Sequence, residues 1–354
     1  MRLNSHLYNL YLGLLQRAKY WPVTADDNRE TLQSVLMGVK HLLMPLAVGV
    51  LVVYVYHEDE SVDPGQLTCE APGGLQMRDK VMVVTGGCRG VGYHTALELA
   101  RRGARLVLGC RDSTAGRAAR ERIVAATGSQ RISVIGLDVA RMKHVSTFVY
   151  NIKQKFDRVD VLINNAATSG NQERRETTEG LEEVMATNYL GPRHLTQSLA
   201  PLLPPDGVVI NLVERSEKVP GPPDVTDINS SAQYDPATVY LQSKQLLHLM
   251  TREMSSRLAP SVYSVQPCPV WSGLHSVLPH QLTGLLSWSL SPLLGSAPAR
   301  EAARTVVWLA GGGAGGRHSG RAWHSCHLEE EDSLEVPHQL RETSDALIQR
   351  ALSS

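Results

Sequence analysis

The sequence predicts an α/β fold built on a doubly wound parallel sheet, and three observations carry that prediction. Lys80 to Thr85 is a short, β-branched apolar run that reads as a buried strand, and Gly86, Gly87, Gly90 and Gly92 follow at once. Tyr93 to Arg102 then has helical spacing, with Ala96, Leu99 and Ala100 on one side. Beyond it, apolar strands and helical segments alternate at the spacing of right-handed crossovers, which implies a sheet covered on both faces.

Strand, glycine turn and helix together form the opening unit of a dinucleotide-binding fold. One glycine lets the chain turn sharply, one lets backbone N–H groups approach a pyrophosphate, and one lets the helix pack close to the strand. The helix N-terminus then offers its partial positive charge to the phosphates. Glycines alone leave a purely structural turn equally open.

The 354 residues suffice for one large domain or two small ones. A formal net charge of zero gives no basic surface for nucleic acid, and only two Phe leave little for a base-stacking platform. Five scattered cysteines (Cys69, Cys88, Cys110, Cys268, Cys326) contain no C-x-x-C pair. That argues against a zinc ribbon or a disulfide framework, and buried free thiols are expected.

Residues 1–34 form an N-terminal segment that lacks the Arg and Ser density of a mitochondrial presequence. Residues 35–56 are the most apolar stretch, and Leu42 to Tyr56 carries no charge. Those fifteen residues reach roughly 22 Å as a helix, short of the ~30 Å hydrocarbon core, so a span needs Val35 to His41 with Lys40 snorkelling to the interface. Tyr54 and Tyr56 would sit in the aromatic belt. A transmembrane anchor is expected; a buried or membrane-surface helix is the competing reading. Arg29 and Lys40 precede the uncharged core of the segment and Glu58, Asp59, Glu60 and Asp63 follow it, which would place the N-terminus in the cytosol and the main domain across the membrane. Residues 57–76, with Pro64, Gly65, Pro72, Gly73 and Gly74, read as a linker to a single domain over 77–330.

Within that domain the second strand is Ala104 to Gly109, with Arg111 just past its end where the residue that reads the adenosine ribose should lie. An acid there would bind a free 2′-hydroxyl; a guanidinium suits a 2′-phosphate, and Arg89 inside the glycine loop adds a second cation. NADP is therefore expected, with NAD as the alternative. Thr114 to Ala126 is helical, Arg131 to Leu137 is a strand ending at Asp138, and Met142 to Phe156 is helical. Val159 to Ile163 is a strand ending in Asn164-Asn165-Ala166, and Thr178 to Leu203 is a long helical region containing Asn188. Val208 to Val213 is the fifth strand, Pro236 to Leu258 a helix, and Ser261 to Gln266 the sixth strand.

Tyr240 and Lys244 are four apart and share a helix face. An ammonium beside a phenol lowers its pKa from about 10. A Tyr so tuned passes a proton to or from a carbinol oxygen as hydride moves to or from a nicotinamide. The competing reading is an ordinary polar helix face, but here the pair follows five β/α units that open with a glycine loop.

With these residues in hand the chain resembles the short-chain dehydrogenase/reductase family, a Rossmann fold. The matching pieces are Thr85-Gly86-Gly87-Cys88-Arg89-Gly90-Val91-Gly92, Asp138, Asn164-Asn165-Ala166, Asn188, Tyr240-Leu241-Gln242-Ser243-Lys244 and Pro267, in the family's order. Cys110-Arg111-Asp112 and the apolar N-terminus resemble its membrane-bound, retinol-dehydrogenase-like branch. Ile228 to Lys244 resembles a member linked to polyprenol and dolichol metabolism. The resemblance implies that Tyr240 is the proton donor or acceptor, that Lys244 binds the nicotinamide ribose and tunes Tyr240, and that Asn188 holds a water joining Lys244 to solvent. It implies cofactor contacts from Thr85, Gly86, Arg89, Gly90, Val91, Gly92, Arg111, Asp138, Asn165, Tyr240, Lys244 and Pro267. No metal is implied.

One departure is decisive. The family ends its fifth strand with serines, the second of which hydrogen-bonds the reacting oxygen; here those positions are Val213 and Glu214. A carboxylate beside Tyr240 opposes phenolate formation. Ser216 has the parity of Glu214 but lies ~6–7 Å further on, so it is not expected to substitute fully. Cys268 replaces a glycine after Pro267.

Val270 to Leu294, apolar with Trp271 and Trp288, reads as a substrate lid or as plain core. Glu301 to Leu309 is the last domain helix, Gly311 to Gly316 a glycine run, Gly320 to Trp323 a seventh strand, and 331–354 a final helix or tail. His324, Cys326 and His327 lack a distant fourth ligand for a metal. Asn229-Ser230-Ser231 is a sequon that offers a topology test. The expected partners are a lipophilic small molecule and a membrane, single-pass and of the endoplasmic reticulum or else mitochondrial; nucleic acid is not one, and a homodimer stays open. Two readings follow: an oxidoreductase acting on a lipophilic alcohol or carbonyl, or a nucleotide-binding sensor or scaffold that has lost most of its chemistry.

Overall fold

The computed structural model describes residue 69 and residues 77–214, 221–267, 297–330 and 335–354. The N-terminal segment, the expected span 35–56, nearly all of the linker, Ser216, Cys268 and the lid region lie outside them. Among the described residues no helix is long and apolar enough to cross a membrane.

The sheet has the order β3-β2-β1-β4-β5-β6-β7-β8. Its strands are β1 (Val81–Thr85), β2 (Arg105–Cys110), β3 (Ile132–Gly136), β4 (Val161–Asn164), β5 (Val208–Leu212), β6 (Ser261–Val265), β7 (Ala322–His324) and β8 (His327–Leu328). All neighbours pair parallel except β7 and β8. The antiparallel β8 departs from the expected all-parallel sheet: a turn at Ser325 and Cys326, both at positive φ, folds the chain back on β7. Strand order reverses between β1 and β4, so the crevice above their carboxyl ends is the switch point at which such sheets bind ligands.

Period-two alternation sends each strand to two cores. Val81, Val83, Val107, Leu162, Val209 and Val262 face one; Met82, Val84, Leu106, Leu108, Ile163, Ile210 and Tyr263 face the other. The first core is covered by α3 (Met142–Lys153), α5 (Gly191–Leu199), α6 (Pro236–Ser255) and α8 (Leu340–Ser353), and the second by α1 (Gly90–Arg101), α2 (Ser113–Thr127) and α7 (Ala297–Ala310).

The long helix expected over 178–203 is not continuous. Glu182 caps a one-turn α4 (Glu183–Met185) by accepting from Val184 N and Met185 N, so the helix starts later than its apolar spacing implies. A π-helical turn, Ala186–Leu190, then precedes α5. Where α5 begins, Gly191 packs against the Val139 carbonyl so closely that a Cβ would overlap it.

The described cysteines are not free thiols. Cys88 pairs with Cys110, and Cys69 with Cys326. Thr85 lies opposite Gly109 in the β1–β2 register, which sets the glycine turn beside the end of β2 and brings Cys88 to Cys110. Sequence spacing without register hid that proximity. Asn229 also differs from expectation: it is buried, accepts from Glu182 N at 2.9 Å and donates to Gly180 O at 3.3 Å. The Asn229 side chain is thus engaged inside the fold rather than displayed at the surface.

Candidate active site

The glycine turn is built for close approach from outside. Gly86 and Gly90 take φ of +66° and +55°, and nothing lies within 4 Å of where a Gly90 Cβ would be. A Cβ at Gly92 would overlap the Asn165 amide and sit 2.5 Å from Gly86 O. Arg89 precedes α1 without a side-chain cap, leaving the helix N-terminus to a ligand. These features fit a dinucleotide pyrophosphate, which glycine backbone and Arg89 would hold.

Thr85 and Asn165 lock that turn. Thr85 Oγ donates to Ile163 O and accepts from Asn165 N and Ala166 N, each at 3.0 Å. Asn165 Nδ2 donates to Thr85 O at 2.8 Å and Gly86 O at 3.2 Å. Both residues thus act on the loop, and Val91 packs beside the second core. Arg89, in the glycine turn, and Arg111, just past β2, are exposed, and Asp138, half-buried after β3, accepts from Ala140 N at 3.2 Å. Arg122 was not singled out by sequence. It reaches from α2 to Cys88 O at 3.3 Å and lies over the Tyr93 ring, 4.4 Å from its centroid, which adds a third cation beside this loop. Pro267, half-buried, follows β6.

The chemistry-bearing residues come together at α6. Asp235 caps the helix through Thr238 N at 2.8 Å, and Pro236 takes its first position. Two turns further, Lys244 is buried and donates to Leu212 O, the last residue of β5, at 2.9 Å. Burial lowers its ammonium to about 8, with the Glu214 charge opposing. Asn188 in the π turn donates to Thr168 O at 2.9 Å and Ser243 Oγ at 3.0 Å and accepts from Thr168 N at 2.9 Å. Ser243 in turn donates to Tyr240 O at 2.7 Å. Asn188 therefore ties the loop after β4 to the helix that carries Tyr240.

Tyr240 Oη donates to Glu214 Oε1 at 3.1 Å. Its pKa rises above the ordinary phenol value, first because the ring is buried and then because of the Glu214 charge and hydrogen bond. The expected lowering by Lys244 is not found: Lys244 points to the β5 carbonyl, while the carboxylate sits at the phenol. Val213 is buried in the first core and offers no hydroxyl.

A profile of the short chain dehydrogenase family matches residues 80–282. The chain belongs to the short-chain dehydrogenases. Mouse retinol dehydrogenase 13 is 35% identical over 197 residues, which is 55% of this chain and 58% of that protein, so the match leaves a substantial part of the relative uncovered. Human dehydrogenase/reductase SDR family member 12 is 32% identical over 291 residues, 76% of this chain and 88% of that one. Among solved structures, the Pseudomonas aeruginosa RhlG/NADP active-site complex superposes with a TM-score of 0.53 at 24% identity, covering 72% of this chain and 97% of the other. That likeness shows the shared fold.

Proposed function

We propose that this short-chain dehydrogenase is a membrane-anchored oxidoreductase that moves hydride between NADP(H) and a lipophilic alcohol or carbonyl of retinoid, prenol or steroid-like kind. The observation that carries the reading is the convergence of Tyr240, Lys244 and Asn188 on α6 beside the end of β5. Arg89, Arg111 and Arg122 support the 2′-phosphate of NADP. The apolar segment 35–56 and the lid sequence support a lipophilic substrate met at a membrane. Relatives named as retinol dehydrogenases agree with that class.

The bound nicotinamide supplies the hydride acceptor or donor at its ring. Tyr240 supplies the proton at Oη, and Lys244 holds the α6–β5 geometry from Leu212 O and presents positive charge where the ribose would lie. Asn188 positions Tyr240 through Ser243.

A second reading has its own support. With Val213 and Glu214 in place of serines, and Tyr240 bonded to Glu214, the site can bind cofactor yet transfer little, as a sensor or scaffold would. Loss of one transition-state donor can cost ~10²–10³ in rate. Single-turnover experiments separate the two. The full chain is mixed with NADPH and retinal, or NADP⁺ and retinol, and nicotinamide absorbance is followed. The oxidoreductase reading expects turnover by the parent; cofactor binding with transfer only after Val213→Ser/Glu214→Ser establishes the second.

A further inference from the structure

Resting on the oxidoreductase reading, we infer that Glu214 is the terminal proton acceptor of Tyr240, and that it sets the site to oxidise alcohols in preference to reducing carbonyls.

The geometry decides between the two directions. A serine hydroxyl both donates and accepts, so it serves an alcohol or a carbonyl equally. A carboxylate only accepts. A carbonyl oxygen brought beside Glu214 meets a carboxylate that cannot donate to it; an alcohol O–H finds an acceptor. The Tyr240 proton is also already aimed at Glu214 Oε1, 3.1 Å away. Reduction runs the same path backwards and needs Glu214 protonated at the outset to resupply Tyr240; with the carboxylate ionised, Tyr240 would give its proton to the carbonyl and end as a phenolate beside a second anion. Oxidation avoids that state. The alcohol O–H breaks and its proton goes to Tyr240 Oη, while the Tyr240 proton goes to Glu214 Oε1. The carbinol C–H breaks with its electron pair, which an oxidised nicotinamide dinucleotide accepts. The products are a carbonyl, the reduced dinucleotide and a carboxylic acid at Glu214, which then returns its proton to water. Tyr240 stays neutral before and after, so its elevated pKa is no obstacle.

Lys244 completes the charge pattern. Glu214 acts on both Lys244 and Tyr240, so before the reaction the buried ammonium has a negative neighbour in Glu214. Replacing Glu214 with a neutral group removes that neighbour and frees Tyr240 to ionise closer to its ordinary pH.

The test uses the full chain as parent, Glu214→Gln, Glu214→Asp and Glu214→Ser, with retinol and farnesol as alcohols and their aldehydes for the reverse reaction. Three quantities are read: cofactor affinity by fluorescence, initial rates in both directions, and the ionisation of Tyr240 by ultraviolet difference titration against Tyr240→Phe. Glu214→Gln is expected to lose about 10²-fold in oxidation with cofactor affinity unchanged, and to ionise Tyr240 at lower pH. Glu214→Asp should recover part of the oxidation, and Glu214→Ser should shift the balance toward reduction. A Glu214→Gln protein that oxidises as fast as the parent, or leaves the Tyr240 titration unmoved, overturns the inference while hydride transfer by the parent keeps the family reaction standing. If parent and Glu214→Ser both bind cofactor and transfer hydride in neither direction, the reaction reading falls with it.

Discussion

Burial holds the Lys244 ammonium near 8 in the folded chain against 10.5 when free, and this has a consequence for stability that needs no ligand. Below about 8 both folded and unfolded chains keep the proton, and only the folded chain bears the desolvation. Between 8 and 10.5 the unfolded chain binds more protons, so stability rises with pH across that window. Lys244→Met should therefore unfold at higher urea than the parent below pH 8, with the difference shrinking toward 10.5; a gap that ignores pH would refute the assignment. The i, i+4 spacing of Tyr240 and Lys244 was legible in the sequence because helix geometry alone puts them on one face. The tuning of Tyr240 by Lys244 that this spacing suggested is not found, because the end of β5 separates the two: Leu212 offers its carbonyl to the amine and Glu214 its carboxylate to the phenol. Glu214 was readable as a departure, and its contact with Tyr240 supplies the physical meaning. Arg122 is the opposite case, since its work on the glycine loop follows from tertiary packing that no local pattern announces; Asn165 was named with Asn164 and Ala166, but not its hold on that loop.

At the scale of elements, strands and sheet order were readable because each strand is a buried apolar run closed by a turn signal. Interruptions were less so, and the region 178–203 shows why: caps and π turns are set by partners across the fold, here Asn229 on Glu182 N and Ser243 on Asn188. The buried polar ladder was equally hidden. Asn164 and Asn211, paired in register, are linked at 2.8 Å and tied down by Thr196 and Thr251 from α5 and α6. The docking of α8 has the same origin. Arg193 on α5 is fully buried and donates to Glu253 at 2.7 Å and Asp345 at 2.9 Å, while Tyr189 and Ser344 share a hydrogen bond of 2.7 Å. Removing the guanidinium takes the buried cation from Glu253 and Asp345 and leaves them only the more exposed Arg257 and Arg341. Arg193→Met should cost about 3 kcal/mol and open α8 first in hydrogen exchange. Adding Glu253→Gln and Asp345→Asn should restore much of the loss, because the stranded charges go with it; an Arg193→Met chain as stable as the parent would contradict the account.

Taken as a whole, the molecule combines two features that bear on where its domain lies. Basic residues precede the apolar segment 35–56 and acidic ones follow it, a pattern that favours translocation of the domain. The described cysteines are paired, Cys88 with Cys110 and Cys69 with Cys326, which suits an oxidising compartment and is rare where thiols are kept reduced. Neither feature depends on the other, and on the membrane-anchored reading proposed above both predict a lumenal domain. The natural sequon is the less accessible probe, because Asn229 is packed against Glu182 and Gly180. Ala125→Asn can: it is exposed in the last turn of α2, and with Thr127 two residues on it completes an accessible acceptor. Expressed with membranes, that variant should gain glycosidase-sensitive mass, and the paired cysteines should resist maleimide until the membranes are opened and reduced. An unglycosylated Ala125→Asn chain whose Cys88, Cys110, Cys69 and Cys326 are alkylated without reductant would put the domain in the cytosol.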